Sequence, residues 1–319
     1  MARIMVTGAT GLLGRALVKH LTEQGEHQLI VCGFSRMNDA GYRLDLTQAN
    51  QVAEFVALHK PDVIVHCAAE RRPDISEQNP QAALALNADA TQSLALAAHE
   101  HQAWLLYIST DYVFDGTAPQ YSEDAVTNPV NFYGESKLQG EQIVLATDPG
   151  FAVLRLPILY GDVESLEESA VTVLLKYLAQ AATVETGAAT ITTPTAYIDA
   201  WAIRSPTSTQ DIAHAIAQMI NLQLTSNKDL VGCYHFSAQQ TMTKYQMLVQ
   251  MAQLLNVSHS HVIAVTSATD SAKRPRDCSL SCERLASLGI KSEVPFELGM
   301  ARVLQHMPKP LLEMLNIRL

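Results

Sequence analysis

A tyrosine and a lysine four positions apart, Tyr133 and Lys137, have the residue types and spacing for proton transfer. The residues after them have a helical pattern, so we expect both side chains to project from one face of a helix. A phenol with a pKa of about 10 exchanges protons poorly at neutral pH, and a nearby ammonium group lowers that pKa. Thr110 ends a predicted strand, at the edge where parallel sheets bind ligands. The three side chains predict a hydride-transfer site in which Thr110 hydrogen-bonds the substrate oxygen.

A glycine-rich turn, Gly8 to Gly14, follows the strand-like segment Arg3 to Val6. Its spacing, GxxGxxG, differs from the usual GxGxxG of dinucleotide-binding proteins. The next residues have helical spacing up to Gly25, and the free N–H groups and positive dipole at the start of such a helix bind a pyrophosphate. This context favours a dinucleotide site over the alternative, a glycine turn without a ligand.

The residues after the second predicted strand, Gln28 to Cys32, indicate which dinucleotide is bound. NAD-binding proteins usually carry an acid there, but this chain has Ser35 and Arg36. A guanidinium pairs bidentately with a phosphate, and we therefore predict NADP as the cofactor. The alternative for Arg36 is a solvated surface position. Asp45 and Leu46 are predicted either to flank the adenine or to form a turn.

Strand and helix patterns alternate through the first half of the chain. We predict a helix over Gln48 to Leu58, a strand over Asp62 to Cys67 and an alanine-rich helix from about Gln81 to His99. A strand over Trp104 to Ser109 follows. This alternation is typical of α/β proteins with a Rossmann-type, doubly wound parallel sheet covered by helices on both faces.

The alternation stops after Gly161. From there we predict a helix over Leu166 to Ala181, strand or loop structure over Ala182 to Ala196, and a helix over Pro206 to Leu222. A Ser/Thr cluster at the start of the last segment is a capping signal.

Composition excludes several other classes of protein. The 319 residues include 22 Lys and Arg against 32 Asp and Glu, a net charge of -10 that argues against nucleic-acid binding. No apolar stretch reaches the roughly 20 residues of a membrane helix, and no secretory signal is recognised, so we expect a cytoplasmic protein. The five cysteines form no CxxC pair, and we predict neither disulfides nor a metal site.

Two stretches carry a family resemblance: STDYVFDG at 109–116 and NFYGESK at 131–137. Together with the glycine turn, they closely resemble the dTDP-4-dehydrorhamnose reductase family, in the extended branch of the short-chain dehydrogenases/reductases. The resemblance covers nearly the entire chain. It implies a Rossmann-type sheet with a smaller C-terminal α/β lobe, NADP as cofactor, and reduction of a nucleotide-linked keto sugar as the activity.

Other stretches resemble one branch of that family, the regulatory β subunits of methionine adenosyltransferase: HCAAERRPD at 66–74, RLPILYG at 155–161, EESAVTV at 167–173 and MTKY at 242–245. That branch keeps the reductase fold and binds NADP. The alternative function is therefore an NADP-binding regulatory subunit with little or no turnover, whose partner is the catalytic subunit of methionine adenosyltransferase. A cofactor sensor without turnover is a third hypothesis, and a homodimer is a further alternative for the assembly.

The resemblance also implies roles for individual residues. The implied cofactor contacts are Gly8, Thr10, Gly11, Leu12, Leu13, Gly14, Ser35, Arg36, Asp45, Leu46, Cys67, Ala68, Ala69, Asn87, Tyr133 and Lys137. For Asn87 the alternative is a buried helical residue bonded to the backbone. The implied catalytic residues are Thr110, Tyr133 and Lys137, and Tyr112 is an implied substrate contact. Arg71 and Arg274 are basic residues in an acidic protein, and we predict that they meet a phosphate-bearing substrate at the mouth of the cleft; the alternative is that they are solvated.

The same resemblance implies a division into two units. Residues 1–160 are expected to form an NADP-binding Rossmann domain to which residues 206–232 return, and residues 161–319 a substrate-binding lobe. Tyr234 to Phe236 and a helix from about Met242 to Leu255 are expected in that lobe. The active site should lie in the cleft between the two units.

Overall fold

The structure, a computed structural model, describes residues 1–37, 40–179, 195–225, 229–268 and 273–315. In chain order its strands are β1 (Arg3–Thr7), β2 (Gln28–Gly33), β3 (Tyr42–Arg43), β4 (Val63–His66), β5 (Trp104–Thr110), β6 (Ala152–Leu156), β7 (Leu159–Tyr160), β8 (Ala196–Asp199), β9 (Thr207–Ser208), β10 (Gly232–His235) and β11 (Val262–Val265). Its helices are α1 (Leu12–Gln24), α2 (Ala49–His59), α3 (Pro73–Gln78), α4 (Pro80–Leu84), α5 (Ala90–Glu100), α6 (Phe132–Thr147), α7 (Leu175–Ala179), α8 (Thr209–Thr225), α9 (Lys244–Leu255), α10 (Glu283–Ala286), α11 (Phe296–His306) and α12 (Lys309–Met314).

Seven strands of the described ranges form one parallel sheet, in the order β10-β6-β5-β4-β1-β2-β3. Its β4 and β6 are buried along their whole length, because helices cover both faces of the sheet. Helices α1 and α8 pack on one face, and α2, α5 and α6 pack on the other. The predicted Rossmann-type α/β fold is confirmed.

The predicted alanine-rich helix is present but contains a distortion. A π-helical turn, Ala85–Asp89, joins α4 to α5. Within it the carbonyl oxygen of Asn87 accepts hydrogen bonds from the Tyr107 hydroxyl at 3.2 Å and from Thr91 Oγ1 at 3.0 Å. Side-chain donors of this kind compete with the regular backbone hydrogen bonds of an α-helix. The spacing of hydrophobic residues does not predict such a distortion.

The second half of the chain has a hydrophobic core of its own. Tyr160, Ile198, Met247, Phe296 and Leu304 are among its buried members. Helices α7, α9 and α11 surround this core, and the paired strands β8 and β11 add to it. The change of architecture predicted after residue 161 is therefore visible in the packing.

The predicted helix over Leu166 to Ala181 is wrong. Two 3₁₀ turns, Leu166–Glu168 and Thr172–Leu174, precede the short α7, and residues 180–194 lie outside the described ranges. Ser169 Oγ donates to the Leu159 carbonyl at 2.7 Å and accepts from the backbone of Val171 at 3.0 Å. Thr172 Oγ1 donates to the Leu166 carbonyl at 2.8 Å. These side-chain bonds replace a continuous helix.

Two further predictions for the second half need correction. The helix predicted from Pro206 begins at Thr209, because Thr207 and Ser208 form β9 and pair with β7. Tyr234 lies in β10, which pairs with β6 inside the central sheet and not in the substrate lobe. Helix α8 is the crossover that returns the chain to that sheet. Most of the segment Ala182 to Ala196 lies outside the described residues.

Candidate active site

A cavity of about 700 Å³ opens at the carboxyl ends of β1, β2, β4, β5 and β6. Open α/β sheets bind their ligands at this edge. Every residue that the sequence analysis assigned to catalysis, cofactor or substrate lines this cavity, with the exception of Asn87. Its other lining residues come from both halves of the chain, including Leu156 to Leu159 and Glu168 to Ala170.

The glycine turn fits a pyrophosphate for steric reasons. Gly8 has a φ of +63°, and a Cβ atom on it would lie 2.6 Å from the backbone nitrogen of Ala68. A Cβ atom on Gly14 would lie 2.2 Å from the Gly8 carbonyl oxygen. Helix α1 begins after Gly11 with no side chain capping it and no acid in its first turn. Its free N–H groups and positive dipole thus lie at the cavity, where an anion binds favourably.

The loop after β2 forms the neighbouring part of the cavity wall. Ser35 and Arg36 line the cavity, and Arg36 pairs with two carboxylates of the second half, Glu164 at 3.4 Å and Glu168. Asp45 lines the cavity as well, while its Oδ1 accepts a bond from the backbone of Thr47 at 3.0 Å. Asp45 therefore forms the predicted turn and also lines the cavity, and its position beside the adenine stays a prediction.

Thr110, Tyr133 and Lys137 line the same cavity, and Thr110 is the last residue of β5. Asn131 caps α6 by accepting from the backbone of Gly134 at 2.9 Å, which sets the first turn that carries Tyr133. Thr110 Oγ1 accepts from the Tyr112 backbone N–H at 3.2 Å. The Lys137 ammonium group lies 3.9 Å from the centre of the Tyr107 ring and is almost fully buried.

The two titrating groups of this cluster have shifted pKa values. Burial raises the pKa of Tyr133 well above its usual value, and a hydrogen bond with Thr110 opposes that change. The net shift of the phenol pKa is therefore upward, because the loss of hydration outweighs the lowering expected from a nearby ammonium group. Burial lowers the pKa of Lys137 to about 7, and the nearby carboxylate of Glu141 opposes this.

A buried ion pair beneath the lysine was not predicted. Glu141 lies one turn after Lys137 on α6, and its Oε2 accepts from Arg155 Nη2 at 2.7 Å. Glu141 Oε1 also accepts from Ser109 Oγ at 2.5 Å, next to Thr110. The pair joins α6 to the ends of β5 and β6, and thereby holds the strand and the helix of the catalytic cluster together. The spacing of Lys137 and Glu141 on one helix face was the only sequence signal for it.

Asp111 and Arg204 are further cavity residues that sequence reasoning missed. Burial raises the pKa of Asp111 to about 6, and the nearby guanidinium of Arg204 opposes the rise. Arg204 is buried, donates to the Pro275 carbonyl at 3.0 Å and lies over the Tyr112 ring at 5.4 Å. The position of Asp111 beside Thr110 was a usable signal, whereas nothing local marks Arg204.

Basic side chains from separate parts of the chain line the cavity: Arg71, Arg204, Lys244 and Arg274. Arg274 pairs with Asp74 at 2.8 Å, which ties the segment after residue 273 to α3. The Tyr112 and Tyr133 rings line the same cavity, and their centroids lie 5.9 Å apart. A phosphate-bearing ligand suits this charge distribution.

Asn87 does not reach the cavity. Its Oδ1 accepts from the backbone N–H of Glu70 at 2.8 Å, and its Nδ2 donates to the Glu70 carbonyl and to Ser136 Oγ, each at 3.0 Å. The side chain is completely buried, so its assignment as a cofactor contact is replaced by the alternative, a buried helical asparagine bonded to backbone. It links the loop after β4 to α6.

The described residues contain no group of three or more His, Cys, Asp or Glu side chains arranged to bind a metal ion. The five cysteines are free thiols, and burial raises the pKa of the cavity residue Cys67 to about 12. None of the helices within the described ranges has the length and apolar character needed to cross a membrane.

These features define a class of protein. A parallel Rossmann-type sheet, a glycine turn after β1, and a Thr, Tyr and Lys cluster on one cavity are typical of the short-chain dehydrogenases/reductases. Within that class, residues 2–308 match the family described as RmlD substrate binding domain, and the chain belongs to this family. The family resemblance found in the sequence is confirmed.

Relatives represent both branches that the sequence resembles, and a solved structure represents the reductase branch. Methionine adenosyltransferase 2 subunit beta of Bos taurus is 42% identical over 298 residues, which are 93% of this chain and 85% of the relative. dTDP-4-dehydrorhamnose reductase of Aggregatibacter actinomycetemcomitans is 30% identical over 293 residues, 89% of this chain and 92% of that one. The structure of dTDP-4-dehydrorhamnose reductase from Bacillus anthracis in complex with NADP has 26% identity and a TM-score of 0.81, covering 96% of this chain and 99% of that one.

Proposed function

We propose that this protein binds NADP(H) and reduces a nucleotide-linked keto sugar, as the reductases of its family do. The observation that carries this proposal is the single cavity that joins the glycine turn, the Thr110, Tyr133 and Lys137 cluster, and a group of cations. A dinucleotide fits the first part of the cavity by its free helix N–H groups. A phosphate-bearing substrate fits the last part by charge.

When bound, the dinucleotide supplies the hydride. Thr110 hydrogen-bonds the carbonyl oxygen of the substrate and orients it. Because burial raises the pKa of Tyr133, its phenol is protonated at neutral pH and can donate that proton to the oxygen that becomes an alkoxide. The charged form of Lys137 stabilises the phenolate that remains, and with a pKa of about 7 the lysine is charged in a substantial fraction of molecules at neutral pH.

The decisive experiment replaces the proton donor. NADPH oxidation with dTDP-4-dehydro-L-rhamnose should be followed for the wild type and for Tyr133→Phe. The variant is expected to lose at least about 100-fold in kcat, because it lacks the proton, while its Kd for NADPH stays within about twofold. Turnover that survives the substitution would contradict the proposed role of Tyr133.

The second candidate function is a regulatory one, and the 42% identity to methionine adenosyltransferase 2 subunit beta favours it. In this case the cavity binds NADP(H), and the chain associates with a methionine adenosyltransferase catalytic subunit. Co-purification with that subunit from the native source distinguishes the two functions. Turnover that is lost in Tyr133→Phe, together with no co-purification, would favour the reductase.

Three further predictions belong to this proposal and have tests of their own. Limited proteolysis probes the division into residues 1–160 with 206–232 and residues 161–319. Sedimentation measures whether the protein is a homodimer. Cell fractionation of the native source tests the cytoplasmic location.

A further inference from the structure

A short segment of the second half, residues 162–168, lies against the nucleotide side of the cavity, and we name it the strap. Three arginines that follow three different strands of the central sheet bind it. Arg15 of α1 donates to the Asp162 carbonyl at 3.3 Å. Arg71, after β4, donates to the Glu167 carbonyl at 3.2 Å. Arg36, after β2, pairs with the Glu164 carboxylate at 3.4 Å.

Glu168 is the centre of these contacts. Its Oε2 lies 2.5 Å from Arg15 Nη2 and accepts from the Glu164 backbone N–H at 2.9 Å. Its Oε1 pairs with Arg36 Nη1. The carboxylate is nearly buried and lines the cofactor cavity, whereas Glu164, which touches the same two arginines, has a side chain that is 63% exposed.

The charge of this carboxylate is held by its neighbours. Burial alone would raise its pKa, but hydrogen bonds from Arg15, from the Glu164 backbone and from Arg36 lower the pKa of Glu168 to about 2. An anion is therefore present on Arg36 at every physiological pH. Arg36 is also the residue from which the sequence predicts NADP in place of NAD, because its guanidinium can pair with the additional phosphate of NADP, the 2′-phosphate.

Two anions then compete for one guanidinium. We propose that Glu168 occupies the position of the 2′-phosphate on Arg36, so that NADP(H), but not NAD(H), must displace this carboxylate and release the strap from Arg36. The proposal rests on the proposed binding of NADP(H). It makes Glu168 a positioning residue that acts through Arg36 and sets how strongly the site prefers the phosphorylated dinucleotide.

The first test measures Kd values for NADPH and NADH by their nicotinamide fluorescence in the wild type, Glu168→Gln and Glu164→Gln. Glu168→Gln is expected to tighten NADPH binding by about tenfold, because the phosphate no longer competes with a charge, and to change NADH binding by less than about twofold. Glu164→Gln is the matched control, since its exposed carboxylate contacts the same arginines and is screened by solvent. It should change either Kd by less than about twofold.

A double-variant cycle separates competition from a general loosening of the fold. Arg36→Gln removes the guanidinium for which both anions compete. In the Arg36→Gln background, the additional change Glu168→Gln should give no gain in NADPH affinity. If Glu168→Gln acted instead by loosening the whole strap, the gain in NADPH affinity would remain in this background.

Hydrogen exchange on the wild type supplies a measurement that requires no variant to fold. The Glu164 backbone N–H donates to Glu168, so it should exchange faster with NADPH bound than with NADH bound. Equal exchange in the two complexes would overturn the proposal. An unchanged ratio of NADPH to NADH affinity in Glu168→Gln would overturn it too, with the proposed function intact. If the wild type bound neither dinucleotide, the proposed function itself would fall.

Discussion

The two ends of the cavity are built in different ways. At the nucleotide end, main-chain atoms of one contiguous segment, Gly8 to Gly14, form the cradle, and close backbone approach determines its shape. At the substrate end, charged side chains such as Arg204 and Arg274 come from distant parts of the chain and are held by carbonyl oxygens and a carboxylate. The glycine turn of the first end therefore depends on sterics, whereas the substrate end depends on electrostatics.

This difference predicts distinct responses to substitution. A change of size should be most harmful at the nucleotide end, where no space is free. A change of charge, pH or salt should act at the group of cations of the substrate end, and at the nucleotide end through Arg36 and Glu168 rather than through the glycine turn, because the Coulomb energy of partly buried charges depends on their charge state and on screening.

The largest effect is expected from Gly8→Ala. The added methyl group would overlap the backbone at Ala68, and the φ of +63° is unfavourable for alanine, so NADPH affinity should fall at least about 100-fold in a titration. Gly25→Ala is the matched control: Gly25 has a φ of +66°, but nothing lies within 4 Å of the added atom. That variant should lose about 1 kcal/mol of stability and keep its NADPH affinity. Equal losses of affinity in the two variants would show that strain, and not close approach, limits this end.

The next effect concerns pH at the substrate end. The folded protein keeps the proton of Asp111 up to about pH 6, whereas the unfolded chain releases it near 3.8. Between these values the unfolded state binds fewer protons, so this group lowers the free energy of unfolding as pH rises, by at most about 3 kcal/mol.

Asp111→Asn removes that dependence. The free energy of unfolding of the variant, minus that of the wild type, should therefore increase between pH 4 and pH 7 in denaturant titrations. A constant difference across this range would show that Asp111 titrates normally and that Arg204 compensates its burial.

The smallest effect is expected from Arg274→Gln. Loss of a cation that binds the ground state should raise KM for the nucleotide-linked sugar by about tenfold, with kcat changed by less than about twofold. The increase should shrink at high salt, because the phosphate and the guanidinium are screened. Lys291→Gln is the charge-matched control, since Lys291 is 60% exposed and pairs with Glu293 outside the cavity. If Arg274→Gln changed the Kd for NADPH and left KM for the sugar unchanged, Arg274 would belong to the nucleotide end and not to the substrate end.

Local patterns in the chain were sufficient for much of the fold and of the site. The strand, glycine turn and helix at its start, the alternation up to Leu156, and the spacing of Tyr133 and Lys137 all involve neighbours in sequence. The spacing of hydrophobic residues, the free helix ends and the direction of the strands are each determined by a few neighbouring residues. They can therefore be predicted from the sequence without a structure.

Other features depend on contacts between distant residues. Ser169 and Thr172 form side-chain hydrogen bonds in place of a continuous helix. Strand β10 belongs to the central sheet because it pairs with β6. Neither contact produces a pattern in the neighbouring sequence. The same holds for Arg204 beside Asp111 and for Glu168 on Arg36, which is 132 residues away. The shifted pKa values have the same origin, because burial is a property of the assembled core and not of any short segment.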